Sequence, residues 1–260
     1  MIRYLILGVV QGATEFLPVS SSGHLVLFQR LLGLDPPGVL LEALLHWGTL
    51  AAILVVFRSD LAELARSLTP RGTIEDRKEI GLIAAGTVPI VVVGLVLRSS
   101  IGGIFGSTIV LGSSFLATGI LLGLTGLVRR REERNRAGFP AAVGIGLAQA
   151  AALLPGLSRS GATISAGLFA GMTPRGAARF SFLLAIPALF GAGLLNLWDV
   201  IRLGGTGVPW LGLAIGTGSA FFVGLLAIKT LLALVSRGRL WTFSIYCLVL
   251  GVLVLSGVAA

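Results

Sequence analysis

The sequence is poor in charged residues and almost devoid of cysteine. Only 12% of its 260 residues are charged, 55% are hydrophobic, and the mean hydropathy is +0.97. These values exclude an ordinary soluble domain and place the chain in the membrane class. The single Cys247 excludes a disulfide framework and a thiolate metal cluster. The net charge of +9 comes from short basic clusters between apolar runs, which is typical of cytoplasmic loops, so no nucleic-acid partner is expected.

Two polar stretches interrupt the apolar chain, QGATEFLPVSSSGH at residues 11–24 and QAAALLPGLSRSGAT at residues 149–163. Each starts at the glutamine of a Gly-x-x-Gln, contains Leu-Pro and a serine-rich turn, and reaches a glycine at the same distance from the glutamine. Non-helical backbone can lie at membrane depth only when it is buried in protein or lines a cavity. The repeated plan therefore predicts two broken helices that meet at one site.

The predicted fold is an all-α polytopic membrane protein with two inverted-topology repeats, comprising six spanning helices plus two re-entrant helix pairs. The helices flanking each break are too short to cross about 30 Å of hydrocarbon, which favours re-entrant pairs. The first repeat covers residues 1–128, with a re-entrant pair at 2–34 and spans at 40–57, 79–97 and 109–128. A basic cytoplasmic linker follows at 129–139, and the second repeat covers 140–260, with a re-entrant pair at 141–171 and spans at 177–197, 210–235 and 240–258.

The connecting loops orient this arrangement. Residues 58–78 and 129–136 are read as basic loops, and a Gly/Ser-rich loop is predicted at 99–107. The positive-inside rule puts the basic loops in the cytoplasm, so the first break enters from outside and the second from the cytoplasm. A second internal similarity supports duplication of one half of the chain: Gly86-Thr87 recurs as Gly216-Thr217. The GxxxG spacing of Gly119 and Gly123 permits a homodimer without requiring one.

The two breaks contain the groups needed to bind and cleave a phosphate. Glu15 and Gln11 lie four residues apart on one helical face and offer hard oxygen ligands for a divalent cation, Mg²⁺ or Ca²⁺. Arg159 supplies a fixed cation ahead of a helix N-terminus. Further hydroxyl groups and one imidazole offer anion contacts, nucleophiles and a proton carrier: Ser20, Ser21, Ser22, His24, Ser158, Ser160 and Thr163.

Each of these residues also has a purely structural interpretation. Glu15 and Arg159 would then form an ion pair, and His24 would bridge backbone freed at the break. The serines and Thr163 would satisfy unwound backbone. Glu42 and His46, one turn apart in a predicted span, fit a supporting position at least as well as substrate contact, and Gln149 is interpreted as structural.

On these motifs the chain resembles the bacitracin-resistance family of undecaprenyl-diphosphate phosphatases. The resemblance runs nearly end to end and includes LEALLHWGTLAA at residues 41–52 and FSFLLAIP at 180–187. It implies that Gln11 and Glu15 form the acidic motif of the active site. It also implies catalysis by Ser21 and His24, and a pyrophosphate-binding turn at Ser158, Arg159 and Ser160. Many members carry Glu where this chain has Gln11, so Glu15 must hold most of any metal.

The resemblance implies an enzyme of the bacterial plasma membrane with an outward-facing site. Its substrate would be a polyprenyl diphosphate lipid, cleaved to the monophosphate and inorganic phosphate for cell-wall synthesis, with Ser21, His24 or an activated water as nucleophile. A lipid flippase or transporter is the alternative, since inverted repeats are common there. A membrane enzyme related to the acid phosphatases is excluded, because that family needs a further histidine in a later motif and no histidine follows Arg159 in this chain.

Overall fold

The computed structural model describes residues 1–34, 39–70, 73–98, 100–128, 134–203 and 209–258, and these residues form helices and turns without a β-strand. The helices in chain order are α1 (Ile2–Phe16), α2 (Ser21–Leu31), α3 (Val39–Val56), α4 (Arg58–Ser67), α5 (Ile74–Leu97), α6 (Ile101–Gly106), α7 (Thr108–Thr125), α8 (Phe139–Ala151), α9 (Arg159–Phe169), α10 (Pro174–Leu203), α11 (Trp210–Ser236) and α12 (Phe243–Leu255), and a 3₁₀ turn at Leu240–Thr242 precedes α12.

Several of these helices are long and apolar enough to cross a membrane. Within the described ranges they are α5, α7, α11 and the Pro174–Asp199 part of α10. A fifth span results if α3 is counted together with α4, from which it bends by 74°. The chain is therefore a multi-pass helical membrane protein.

The predicted loop at residues 58–78 is wrong at both ends. Residues Arg58–Ser67 form α4, which buries Leu64 and Ser67 beneath an exposed charged surface. Helix α5 begins at Ile74 rather than at residue 79, because the Thr73 side chain accepts a hydrogen bond from Asp76 N (3.1 Å) and caps the helix. Hydropathy alone does not separate a capped, charged first turn from a loop.

Other predicted boundaries also shift. Helix α6 lies within the loop predicted at 99–107. Helix α10 begins at Pro174 and extends past the predicted end at residue 197. The last predicted span, 240–258, is shorter than expected: α12 has 13 residues, about 20 Å at 1.5 Å per residue, which is less than the hydrocarbon thickness of about 30 Å.

The two helix breaks form where the sequence places them. Leu17 is extended (φ −62°, ψ 144°) because the following Pro18 disfavours helical backbone, and α2 restarts after its capping residue Ser20. The second break passes through Gly156, whose φ of +92° suits glycine, and α9 restarts after its cap Ser158.

Glycines let the breaks and their helices approach closely. A Cβ on Gly8 would collide with the Gly216 carbonyl where α1 packs on α11, and a Cβ on Gly146 would collide with the Gly86 carbonyl where α8 packs on α5. Gly8 and Gly146 begin the two Gly-x-x-Gln sequences, and Gly86 and Gly216 belong to the repeated Gly-Thr pair. The breaks also touch each other, since a Cβ on Gly23 would lie 3.1 Å from Gly156 Cα.

Helices α7 and α12 pack together through small residues. Gly119 lies against Leu248 and Gly251 against Leu116, and Ser244 Oγ donates a hydrogen bond to the Gly119 carbonyl (2.6 Å). Gly123 also faces Ser244. The GxxxG surface that permitted a homodimer is therefore covered by α12 of the same chain.

A charged cluster joins α4, α5 and α10 at the end of the molecule that carries α4. Arg179 on α10 forms ion pairs with Asp60 of α4 and Glu79 of α5, and Glu79 is buried. Arg136 contacts Asp76 at 3.1 Å. The sequence offered no signal for this cluster, because its members are far apart in the chain.

Candidate active site

Glu15 lies at the centre of the site, near the end of α1, with 6% of its surface exposed. One carboxylate oxygen accepts a hydrogen bond from Arg159 Nη2 at 2.7 Å. The other accepts from Ser21 Oγ at 2.6 Å and from Gln11 Nε2 at 3.1 Å. Residues from both breaks, 144 positions apart in sequence, thus bind one buried carboxylate.

The N-termini of two helices converge on this carboxylate. Ser21 is the first residue of α2 and Arg159 the first residue of α9. The capping hydroxyls of Ser20 and Ser158 accept from Gly23 N and Gly161 N. First-turn amides and the positive helix ends favour an anion at this point, and the Arg159 guanidinium adds a full positive charge.

Two buried polar atoms at the site have no partner among the residues that the structure describes. They are Arg159 Nη1 and Gln11 Oε1. A buried guanidinium N–H without an acceptor is costly, because desolvation is not offset by a hydrogen bond. A ligand that brings an acceptor to Arg159 Nη1 would offset this cost.

The remaining hydroxyl groups mainly support the two breaks. Ser20 and Ser22 pair at 3.3 Å, as do Ser158 and Ser160, and Ser160 Oγ also donates to the Leu17 carbonyl. Thr163 Oγ1 bonds the Arg159 carbonyl (2.8 Å) and lies 2.6 Å from Ser181 Oγ on α10. Their roles as substrate contacts stay predictions.

Ser20 is unusual in its backbone. Its φ of +70° makes it the one described non-glycine residue with a positive φ, whereas its counterpart Ser158 has an ordinary φ of −71°. Such a conformation persists only when the surroundings hold it. The contacts of Ser20 include His24, whose Nδ1 lies 2.8 Å from the Ser20 carbonyl, and Gly23 N, which donates to Ser20 Oγ.

His24 is bonded at both ring nitrogens. A carbonyl only accepts, so Nδ1 carries the proton donated to the Ser20 carbonyl, and Nε2 lies 2.6 Å from Tyr246 Oη. When the ring is neutral, Nε2 accepts from the Tyr246 hydroxyl. The ring stacks on Tyr246 and meets Phe115 edge-on. Sequence reasoning did not identify Tyr246, because it lies 222 residues away in an apolar helix.

His46 comes closer to the centre than its sequence interpretation favoured. Its Nε2 lies 3.9 Å from Glu15 Oε2, and its Nδ1 bonds the Glu42 carbonyl within α3. Glu42 points elsewhere and accepts from Gln29 Nε2 at 2.9 Å. Gln149 is fully buried, and neither of its side-chain amide atoms has a partner within the described part of the chain.

Comparison with known proteins identifies the family. The model of the family described as Bacitracin resistance protein BacA matches residues 4–253. The chain belongs to the BacA family.

Relatives of this BacA-family chain carry the name undecaprenyl-diphosphatase. One from Desulfosudis oleivorans is 44% identical over 270 residues and covers 96% of each chain. Another from Halothermothrix orenii is 39% identical over 254 residues, covering 97% of this chain and 96% of the relative. A third from Korarchaeum cryptofilum is 43% identical and covers 97% of both chains.

The side chains at this BacA-family site fit a divalent cation only in part. Within the described ranges no group of three or more His, Cys, Asp or Glu residues gathers. Gln11 Oε1 is an unpaired oxygen, but both Glu15 oxygens already accept hydrogen bonds. This donor set suits a cation that takes most of its ligands from substrate oxygens and water, as Mg²⁺ commonly does.

Proposed function

We propose that this chain hydrolyses undecaprenyl diphosphate to undecaprenyl phosphate and inorganic phosphate, and thereby recycles the cell-wall lipid carrier and gives bacitracin resistance. The family and the names of relatives over nearly the full chain support this activity. The observation that carries it in the structure is Arg159, a partly buried cation whose Nη2 bonds Glu15 and whose buried Nη1 has no partner among the described residues.

In the proposed complex the diphosphate lies between the starts of α2 and α9. Arg159 Nη1 gains an acceptor, and the first-turn amides of both helices face the phosphate oxygens. The prenyl tail stays in the apolar surroundings of the spanning helices. Binding a charged head group beside a hydrocarbon tail requires a polar site at membrane depth, which the two breaks supply.

The geometry favours Ser21 as the nucleophile. Its hydroxyl already donates to Glu15 at 2.6 Å, the arrangement of a nucleophile and its general base. Ser21 Oγ attacks the terminal phosphorus and its proton passes to Glu15, while the bridging P–O bond breaks and undecaprenyl phosphate leaves. A water then attacks the phosphoserine, releasing inorganic phosphate and restoring the serine proton. Arg159 offsets the charge that develops on the transferred group.

A divalent cation, Mg²⁺ or Ca²⁺, is part of this proposal. Glu15 and Gln11 Oε1 would hold it together with substrate oxygens. When bound it would supply charge neutralisation on the diphosphate. Gln11 contributes a neutral oxygen, so the affinity for the metal depends on the substrate being present.

We also propose that the fold consists of two inverted repeats with re-entrant pairs α1–α2 and α8–α9. The packing supports this: α1 lies on α11 as α8 lies on α5, and α3 lies on α11 as α10 lies on α5. With the basic loops inside, the site of a bacterial plasma-membrane enzyme would open outward.

The test is phosphate release from a polyprenyl diphosphate by purified protein in detergent, comparing Ser21→Ala with Ser22→Ala. We expect Ser21→Ala to lose at least about a hundredfold in kcat, because it removes the covalent route, and Ser22→Ala to stay within a few-fold. Acid quenching of the wild type should trap a phosphoserine. Equal activity in both variants would exclude the serine route, and a wild type that binds lipid without releasing phosphate would exclude the phosphatase.

A further inference from the structure

Helices α7 and α12 hold both breaks from the same side of the site. On α7, Thr118 Oγ1 donates to the Gly156 carbonyl (2.9 Å) and accepts from Ser158 N (3.0 Å). On α12, Cys247 Sγ lies 3.6 Å from the Pro18 carbonyl, beside Tyr246. Thr118 of α7 thus bonds the second break, Cys247 of α12 contacts the first break, and Tyr246 of α12 bonds His24 in the helix that follows the first break.

Tyr246 is the outermost member of a chain of contacts that leads inward to Ser21. It is 48% exposed, yet its hydroxyl reaches the buried His24 Nε2 at 2.6 Å and its ring stacks on the imidazole at a 10° interplanar angle. His24 Nδ1 reaches the carbonyl of Ser20, the residue with positive φ. Ser21, which bonds Glu15, follows directly.

The tautomer of His24 connects these contacts. A hydroxyl that donates to Nε2 leaves the ring proton on Nδ1, and only that tautomer can donate to the Ser20 carbonyl. Without the Tyr246 hydroxyl, the ring can place its proton on Nε2 instead. The Ser20 carbonyl then loses the shorter of its two hydrogen bonds and keeps only the helical bond from His24 N at 3.2 Å.

We propose that Tyr246 is a positioning residue for the reaction: through His24 it holds the left-handed turn at Ser20 that presents Ser21 Oγ to Glu15. This inference rests on the proposed phosphatase activity and on Ser21 as its nucleophile. Tyr246 acts on the orientation of the nucleophile. Arg159 and the helix N-termini, and not Tyr246, bind the diphosphate.

The first test is Tyr246→Phe, which keeps the stacked ring and removes only the hydroxyl. The chain has two tyrosines, so Tyr4→Phe on α1 is the matched control. We expect kcat for phosphate release to fall about tenfold in Tyr246→Phe with KM within about twofold, the loss typical of one hydrogen bond, and Tyr4→Phe to behave as wild type. Unchanged kcat in Tyr246→Phe would overturn the proposal.

The second test reads the imidazole directly. The chain has two histidines, so ¹⁵N-histidine NMR gives two ring systems, assigned with His46→Gln. The wild type should show His24 protonated at Nδ1, and Tyr246→Phe should show a mixture of tautomers. A wild-type proton on Nε2 would overturn the proposal whatever the kinetics, since that tautomer cannot donate to Ser20.

A double-mutant cycle separates positioning from an independent effect. If Tyr246 acts through His24, Tyr246→Phe should change kcat less than twofold in a His24→Ala background. A full tenfold loss in that background would show that Tyr246 acts by another route. Absence of phosphate release by the wild type would overturn the proposed function together with this inference, whereas active wild type with an unaffected Tyr246→Phe would overturn this inference alone.

Discussion

Ser21 and Arg159 hold the same place in their helices, the first residue after a capping serine, and both bond Glu15. The two turns therefore carry different side chains at matching positions, one a hydroxyl and the other a cation. A single carboxylate between them orients both. In the proposed complex the phosphate approaches Arg159 Nη1, which has no partner among the described residues.

For the residue itself, Arg159→Lys tests whether the two N–H groups of the guanidinium are both needed. Lysine keeps the charge but cannot bond Glu15 and a phosphate oxygen with two fixed N–H groups at once. We expect kcat/KM for phosphate release to fall about 10- to 100-fold, the equivalent of roughly 1.5–3 kcal/mol for a charged hydrogen bond. Arg159→Gln should lose more. Full activity of Arg159→Lys would mean that charge alone is needed.

At the scale of helices, close approach of α8 to α5 depends on paired glycines. Gly146→Ala would push a methyl group into the Gly86 carbonyl, whereas Gly144 on the same helix has open space around it. We expect Gly146→Ala to lower the free energy of unfolding by about 1–3 kcal/mol, as overpacking does. Gly144→Ala should leave it unchanged or raise it slightly. Thermal unfolding in detergent measures both, and equal midpoints would contradict the packing.

The ion cluster at α4 gives a second prediction for the elements. Arg179→Gln leaves the buried Glu79 carboxylate without its main partner. The expected loss is about 2 kcal/mol, below the roughly 3–5 kcal/mol of a fully buried pair, because the Arg179 side chain is 27% exposed. The control is Arg175→Gln, an exposed arginine one turn earlier. Adding Glu79→Gln to Arg179→Gln should recover part of the loss.

At the scale of the whole molecule, the proposed inverted arrangement predicts which loops share a side of the membrane. In a Cys247→Ser background, Thr69→Cys and Gly103→Cys introduce single thiols at exposed positions. We expect a membrane-impermeant thiol reagent to label Gly103→Cys in intact cells and Thr69→Cys only after permeabilisation. Labelling of both in intact cells would contradict the orientation.

Much of the fold could be predicted from residue order, because the bilayer restricts the backbone structures that can cross it. Long apolar runs must be helices, and a polar, proline-interrupted stretch at that depth must line a cavity or be buried. Gln11, Glu15, Ser21 and Arg159 were identified on that ground, and the structure brings them together. Helix α4 and the start of α5 were missed, because capping and amphipathic docking leave little trace in hydropathy.

The membrane class, the two breaks and the polar groups they carry follow from residue order alone, since each depends on local chemistry in an apolar solvent. The pairing of distant residues became visible only in the packed helices: Tyr246 on His24, Arg179 on Glu79, and α12 over the Gly119 surface. Such pairs join residues that are distant along the chain, and which apolar helix packs beside which break depends on the shapes of whole helices. Hydrophobicity acts without direction and cannot make that choice.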